Sequence, residues 1–335
     1  MSTPRVLGFG TAVPGQRYEQ VSLFEKQLKP YFQSTRHAEA IFHNTGVGYR
    51  YLAVPLDFYL EERTTQMRNE LYMQIARPLG ETAIRRCLDD AGLTAEAVDD
   101  FIVVSCTGID TPGLDLILAG SLGMRSDLRR SSILGMGCYA ALPGLSRARE
   151  SVLARPGRRT LLLAIEICSL HFQPDDDSTE NAVSSALFGD GAAAVLVGSD
   201  PVEAGSLAQT SGPQLVDFAT HCDYQTLDRM AFHLTDHGFR MRLSAYVPSI
   251  LAARVEEFVD RLLSGSGLRR EEIPVWVVHP GSAKILDYTK ERLGLPEDAL
   301  DCSYSVLYEY GNMSSATVLF ILEQIQREGR VRPGD

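Results

Sequence analysis

The sequence predicts an α/β protein made of two pseudo-equivalent βαβ-type halves stacked as a layered α-β-α-β-α core, and three observations carry that prediction. Apolar runs of the fully buried kind, FIVVSC and TLLLAIEIC, alternate with helical stretches, as in a largely parallel sheet covered on both faces. GLTAEAVDDFIVVSCTG at 92–108 and GLRREEIPVWVVHPG at 267–281 share one layout of helix stop, acidic turn and buried strand. The offset from Val104 to Val278 also carries Gly137-Cys138 onto Gly311-Asn312 and Ser105 onto His279, which points to an internal duplication. The halves are expected to divide into residues 1–200, with the cysteine, and 201–335, with the histidine and asparagine.

Along the chain, VLGFGTAVP predicts a strand and a Gly/Pro turn, and residues 20–45 predict a helix. Leu71, Ile75, Leu79, Ala83 and Cys87 recur at helical spacing, so 61–92 is expected as one long amphipathic helix with a possible kink at Pro78. SSILGMGCYAALPGL reads as a short strand, a glycine turn and a buried helix. RRTLLLAIEICS and DGAAAVLVGS read as strands joined through the acidic, flexible loop PDDDSTEN. LVDFATHCD predicts a further strand, and VPSILAARVEEFVDRLLSGSG one amphipathic helix.

The chain has 335 residues, 44% of them hydrophobic, enough for one large core or two fused halves. Its formal net charge of -11 argues against nucleic-acid binding, which needs a basic surface. Arg36, His43 and Arg50 make one region locally basic, suited either to a solvated face or to a phosphorylated ligand. The six cysteines show no metal-ligand spacing and read as reduced thiols of a cytoplasmic protein, and no run approaches the ~18 apolar residues of a membrane span. Neither GFG nor GDG continues into a dinucleotide fingerprint.

Cys138 falls at a helix start, where unpaired amides and the helix dipole favour a thiolate. Taken singly, Cys138 also fits a small residue packed at a turn, His279 a structural histidine, and Asn312 a helix cap. Their equivalent places in a duplicated chain favour convergence on one cavity.

The stretches GMGCYAAL, ALFGDGAAAVLVGSDP, HPGSAKILD and YGNMSSATVLFILE resemble, in order, those of bacterial type III polyketide synthases, the chalcone synthase family of the thiolase superfamily. DRLLSGSGLRR and REGRVRPGD look most like dihydroxyphenylacetyl-CoA synthases, whereas EICSLHFQ looks more like naphthalene- or resorcinol-forming members. The resemblance implies a thiolase-like fold, Cys138 as the acyl-carrying nucleophile, His279 and Asn312 as its partners, and Phe188 as a gate. It further implies Met241 as a second gate, His171 and Thr107 as pocket residues, Arg50 as a CoA contact, and Thr111 on a loop that crosses a homodimer interface.

The implied substrates are an acyl-CoA starter and malonyl-CoA, joined by iterative decarboxylative condensation and then cyclised, with no metal or redox cofactor. A single-round ketoacyl synthase and a non-catalytic subunit of the same fold are the competing readings, and the intact Cys138, His279 and Asn312 weigh against the second. The repeat offset puts counterparts of the two first-half strands near residue 332 and beyond Asp335, so the natural polypeptide is expected to continue by ~25 residues or more to complete a second sheet.

Overall fold

The computed structural model describes residues 3–33, 37–199 and 212–332. Strand β1 (Arg5–Ala12) leads to a small outer pair, β2 (Arg17–Glu19) and β3 (Tyr49–Tyr51), which brackets the short helices α1 (Gln20–Leu23) and α2 (Ala38–His43). The single helix expected over 20–45 is therefore broken. Pro30 has no amide to donate, and around it the chain passes through π and 3-10 turns. Arg36 lies outside the described residues.

Helix α3 (Thr65–Asp90) forms as expected and carries Pro78 within it. It is followed by β4 (Asp100–Val104), α4 (Leu114–Leu122), β5 (Arg129–Ile133), α5 (Ala141–Ala154), β6 (Thr160–Ile167), α6 (Thr179–Leu187) and β7 (Asp190–Gly198). These strands and β1 make one mixed sheet in the order β1-β7-β6-β4-β5, with β4 parallel to both its neighbours and β7 antiparallel to β6 and β1.

Alternation along the strands divides the core into two faces. Phe101, Val103, Leu161, Leu163 and Ile165 pack with α3 and α4, while Ile102, Val104, Leu162 and Ala164 pack with α5. Gly8 and Gly10 let α3 lie against the β1 backbone. A Cβ on Gly10 would come within 2.3 Å of the Ala83 carbonyl oxygen and the Cys87 amide nitrogen.

Beyond residue 212 the chain forms the hairpin β8 (Met230–Thr235) and β9 (Gly238–Leu243), then α7 (Val247–Ala252), α8 (Val255–Gly265), α9 (Ala283–Leu293), α10 (Asp301–Tyr310) and α11 (Thr317–Arg327). Helix α11 joins α5 on its face of the sheet, giving the order helix, sheet, helix around the first half.

Four expectations change here. The strand predicted over VWVVHPG is extended but unpaired: Val275 and Val277 pack on the α5 and α11 core, and the Val278 amide donates to Ser303 Oγ at 3.3 Å. No neighbouring strand lies beside it among the described residues, and an isolated strand has no ladder to stabilise it. LVDFATHCD also forms no strand, because arginine side chains take its carbonyls: Arg149 bonds the oxygens of Leu215 and Val216, and Arg261 that of Thr220. The helix expected from 247 is divided into α7 and α8 by a turn at Ala253 and Arg254, where φ of Arg254 stretches to -119°. The loop before α6 is tied down, since Asn181 Nδ2 donates to the carbonyls of Gln173 and Asp176. The boundary expected between residues 200 and 201 lies outside the described residues.

Candidate active site

Cys138 follows β5 on a turn whose glycines, Gly135 at φ 73° and Gly137 at φ 56°, adopt the left-handed conformation that side chains disfavour. A single 3-10 turn over Gly137–Tyr139 then feeds α5. Asn312 has the matching place before α11. Gly311, at φ 70° and ψ -166°, ends α10, and a 3-10 turn over Ser314–Ala316 starts the next helix. The two helix starts thus hold Cys138 and Asn312 at the equivalent points that the repeat predicts. His279 comes from the extended run ahead of Pro280 and α9.

All three line one cavity of about 810 Å³, together with Phe188, Met241, His171, Thr107 and Arg50. The Asn312 amide is oriented by its neighbours. Its Oδ1 accepts from the Ser314 amide at 2.9 Å and from Thr317 Oγ1 at 3.4 Å, which leaves Nδ2 as the donor, 3.4 Å from the Gly281 carbonyl oxygen. His279 keeps Nδ1 and Nε2 free of any partner among the described residues.

Burial opposes a lone charge on either reacting group. It pushes the Cys138 thiol up to about 11, against the pull of hydrogen bonds from the Ser314 and Asn312 side chains. It also holds His279 down to about 4. A solitary thiolate, expected from the helix start alone, is therefore disfavoured. A buried thiolate is compensated where an opposite charge, such as an imidazolium, forms beside it.

Behind the cavity stands Glu166, fully buried at the end of β6. It accepts from the Cys106 amide at 3.0 Å, Thr107 Oγ1 at 2.9 Å and Ser315 Oγ at 2.5 Å, and burial raises its pKa. Cys106 is raised well above the usual thiol range by burial and then by Glu166. His171 bridges two walls: its Nε2 lies 2.8 Å from the Thr107 carbonyl oxygen, and its Nδ1 accepts from the Phe239 amide at 3.3 Å. Its ring meets Phe232 and Phe239 edge-on, and those two rings stack on each other.

Arg50, read as a CoA contact, is only 2% exposed, and its Nη1 donates to the carbonyls of Ser185 and Phe188. It is the central residue of β3, and its side chain turns inward between two half-buried tyrosines, Tyr49 and Tyr51, so it offers no surface charge to a phosphate. Thr111 is exposed and does not line this chain's own cavity.

Glu166, Ser314, Phe232 and Phe239 escaped the sequence reading. A carboxylate inside the apolar run LLLAIEI and the two-residue Asp236-His237 link between β8 and β9 were the available signals. Glu25, Glu39 and His43 form the group with metal-ligand geometry among the described residues, but all are exposed, and Lys29 already bridges the two carboxylates.

Residues 54–201 match the family described as chalcone and stilbene synthases, N-terminal domain, and residues 220–333 match the C-terminal domain of the same family. The chain is 34% identical over 330 residues to a 1,3,6,8-tetrahydroxynaphthalene synthase of Streptomyces peucetius subsp. caesius, covering 97% of this chain and 86% of that protein. It is also 34% identical over 337 residues to a 3,5-dihydroxyphenylacetyl-CoA synthase of Streptomyces toyocaensis, covering 99% and 85%. Among solved structures, the 1,3,6,8-tetrahydroxynaphthalene synthase of Streptomyces coelicolor A3(2), a bacterial type III polyketide synthase, superposes with a TM-score of 0.90 at 29% identity, covering 98% of this chain and 92% of that one.

Proposed function

This chain belongs to the chalcone and stilbene synthase family, and from that premise we propose that it is a type III polyketide synthase whose condensations run on Cys138, His279 and Asn312. The observation that carries the residue assignment is the single cavity of about 810 Å³ onto which all three converge. A division of the protein near residue 200 has support from the two family domains, which meet between residues 201 and 220.

In the loading step, His279 takes the proton of Cys138, and Sγ attacks the thioester carbonyl of an acyl-CoA starter. The carbon–sulfur bond to CoA breaks, and CoA leaves with that proton. Malonyl-CoA then enters, and its carbon–carbon bond to the carboxylate breaks. Carbon dioxide departs, and the electron pair remains as a thioester enolate. Asn312 Nδ2 and a neutral His279 N–H are the donors for the enolate oxygen, and one such donor is worth about 3 kcal/mol in the transition state.

The enolate carbon attacks the acyl group on Cys138, expels the thiolate and leaves a β-ketoacyl-CoA longer by two carbons. Return of that chain to Cys138 allows another round, followed by cyclisation. Every step uses the chain's own side chains and CoA thioesters. Incubation with an acyl-CoA and isotope-labelled malonyl-CoA, read by mass spectrometry, is expected to give products with several labelled units. Products with only one would overturn the iterative reading.

The proposal includes a homodimer. Among the described residues, strand β5 has one unpaired edge, and it is largely exposed. Met136 and Tyr139, just after β5, and Ile109, on the loop after β4, are exposed apolar side chains, and Thr111 stands exposed on the same loop as Ile109. An open edge flanked by apolar side chains suits pairing with a second copy.

A further inference from the structure

We infer that Arg50 is a positioning residue that fastens the gate Phe188 and the enolate donor Asn312 into one rigid unit. The inference rests on the roles proposed above for those two residues. It begins with the end of α6, whose last carbonyls point toward β3 and the turn at Gly311.

Each of these carbonyls has a partner. Arg50 Nη1 donates to Ser185 O at 2.6 Å and to Phe188 O at 2.7 Å. Gln20 Nε2 donates to Ala186 O at 2.7 Å, and the Asn312 amide donates to Leu187 O at 2.9 Å. In return, the Gly189 amide donates to Asn312 O at 3.0 Å, so Phe188 and Asn312 form a parallel bridge. Arg50 therefore grips the gate's own carbonyl while Asn312 grips the residues on either side.

The other side of the contact is equally close. A Cβ on Gly311 would lie 2.8 Å from Leu187 O and 3.0 Å from Arg50 Cγ, so the arginine stem is packed against the turn that aims Asn312. Arg50 is 2% exposed, and its Nε and Nη2 have no hydrogen-bond partner among the described residues. A guanidinium buried with part of its donor set unmatched is a poor source of stability. It is well suited to hold two carbonyls at fixed positions, because its donors sit on a planar, rigid group.

The two half-reactions separate this role from general stabilisation. Acyl transfer to Cys138 needs Cys138 and His279, whereas malonyl-CoA decarboxylation also needs the aim of Asn312 and the closure at Phe188. In Arg50→Met, conversion of malonyl-CoA to acetyl-CoA is expected to fall in kcat by about 100-fold, the cost of misplacing a catalytic group by about 1 Å, while Cys138 acylation stays within a few-fold. Arg50→Lys, which keeps a donor in the same place, should recover part of the lost decarboxylation.

Should Arg50→Met fail to fold, Gly311→Ala strains the same contact from the opposite side and is expected to give the same split. Equal losses in both half-reactions, or no loss in either, would overturn the inference. Wild-type protein that never decarboxylates malonyl-CoA would overturn the proposed function itself and this inference with it. Active wild type with unaltered variants would remove only the role of Arg50.

Discussion

Ser315 Oγ donates to Glu166 Oε1 at 2.5 Å, and this bond joins the helix start that carries Asn312 to the end of the central strand β6. The same carboxylate holds the Cys106 amide and Thr107 Oγ1, so it anchors the floor of the cavity from both halves of the chain. Its partners are all donors. Glu166→Gln replaces an acceptor by an NH₂ group and is expected to cost about 2 kcal/mol, the value of a hydrogen bond to a charged group. Urea denaturation checks this, and an unchanged midpoint would show that the network is dispensable.

Cys138 is expected to be the only cysteine acylated during turnover. Cys106 and Cys168 lie near it and line the same cavity, but burial raises both thiols well above the ordinary range, and Glu166 raises them further. Peptide mass spectrometry after incubation with an acyl-CoA should place the adduct on Cys138, and Cys138→Ala should abolish it. An adduct on Cys106 would refute the assignment.

In the proposed mechanism, His279 is the proton acceptor that offsets the cost of a buried Cys138 thiolate. Burial pushes the thiol up to about 11, only partly opposed by hydrogen bonds from the Ser314 and Asn312 side chains, and the His279→Ala variant has no imidazole to take up its proton. In His279→Ala, alkylation of Cys138 by iodoacetamide at pH 7 is therefore expected to slow by about 10-fold or more and to recover only as pH rises past about 9. Alkylation as fast as in the wild type at pH 7 would mean that the helix start suffices.

Much of this molecule was legible in its residues because burial on two faces leaves a strong pattern. The runs holding Phe101–Val104 and Leu161–Ile167 could only be central strands, and the spacing of Leu79, Ala83 and Cys87 could only be a helix on them. The equivalence of Cys138 and Asn312 was readable as an offset. The strand at Val275–Val278 was misread because a strand is a property of its neighbours as much as of its own residues, and nothing in VWVV records whether they are present. Arg50 was misread for a related reason: a cation in a tyrosine-rich segment looks exposed until the carbonyls of α6 are placed beside it.

A homodimer is expected to sediment as such at micromolar concentration, held along β5 and the loop that carries Thr111. Ile109 is 56% exposed beside that loop, and burying a charge there would be costly. Ile109→Glu should shift the protein toward monomer in analytical ultracentrifugation. A wild-type monomer would remove the interface.

His171 links the β8–β9 hairpin to the loop that bears Thr107, and this arrangement requires a neutral ring. Nδ1 must accept from the Phe239 amide, so Nε2 carries the hydrogen that goes to the Thr107 carbonyl. Burial lowers its pKa from 6.5 to about 3. Between those values the unfolded chain binds the extra proton and the folded chain does not, so this contribution to stability is complete above pH 6.5 and is lost as pH falls toward 3. His171→Thr removes that proton-linked difference and leaves every other titrating group in place. Its unfolding midpoint should therefore fall less between pH 7 and pH 5 than that of the wild type, while the loosened hairpin, which also carries Met241, should alter the distribution of polyketide products. Parallel pH dependences would place the imidazole in water, and an unchanged product profile would take the hairpin out of the cavity wall.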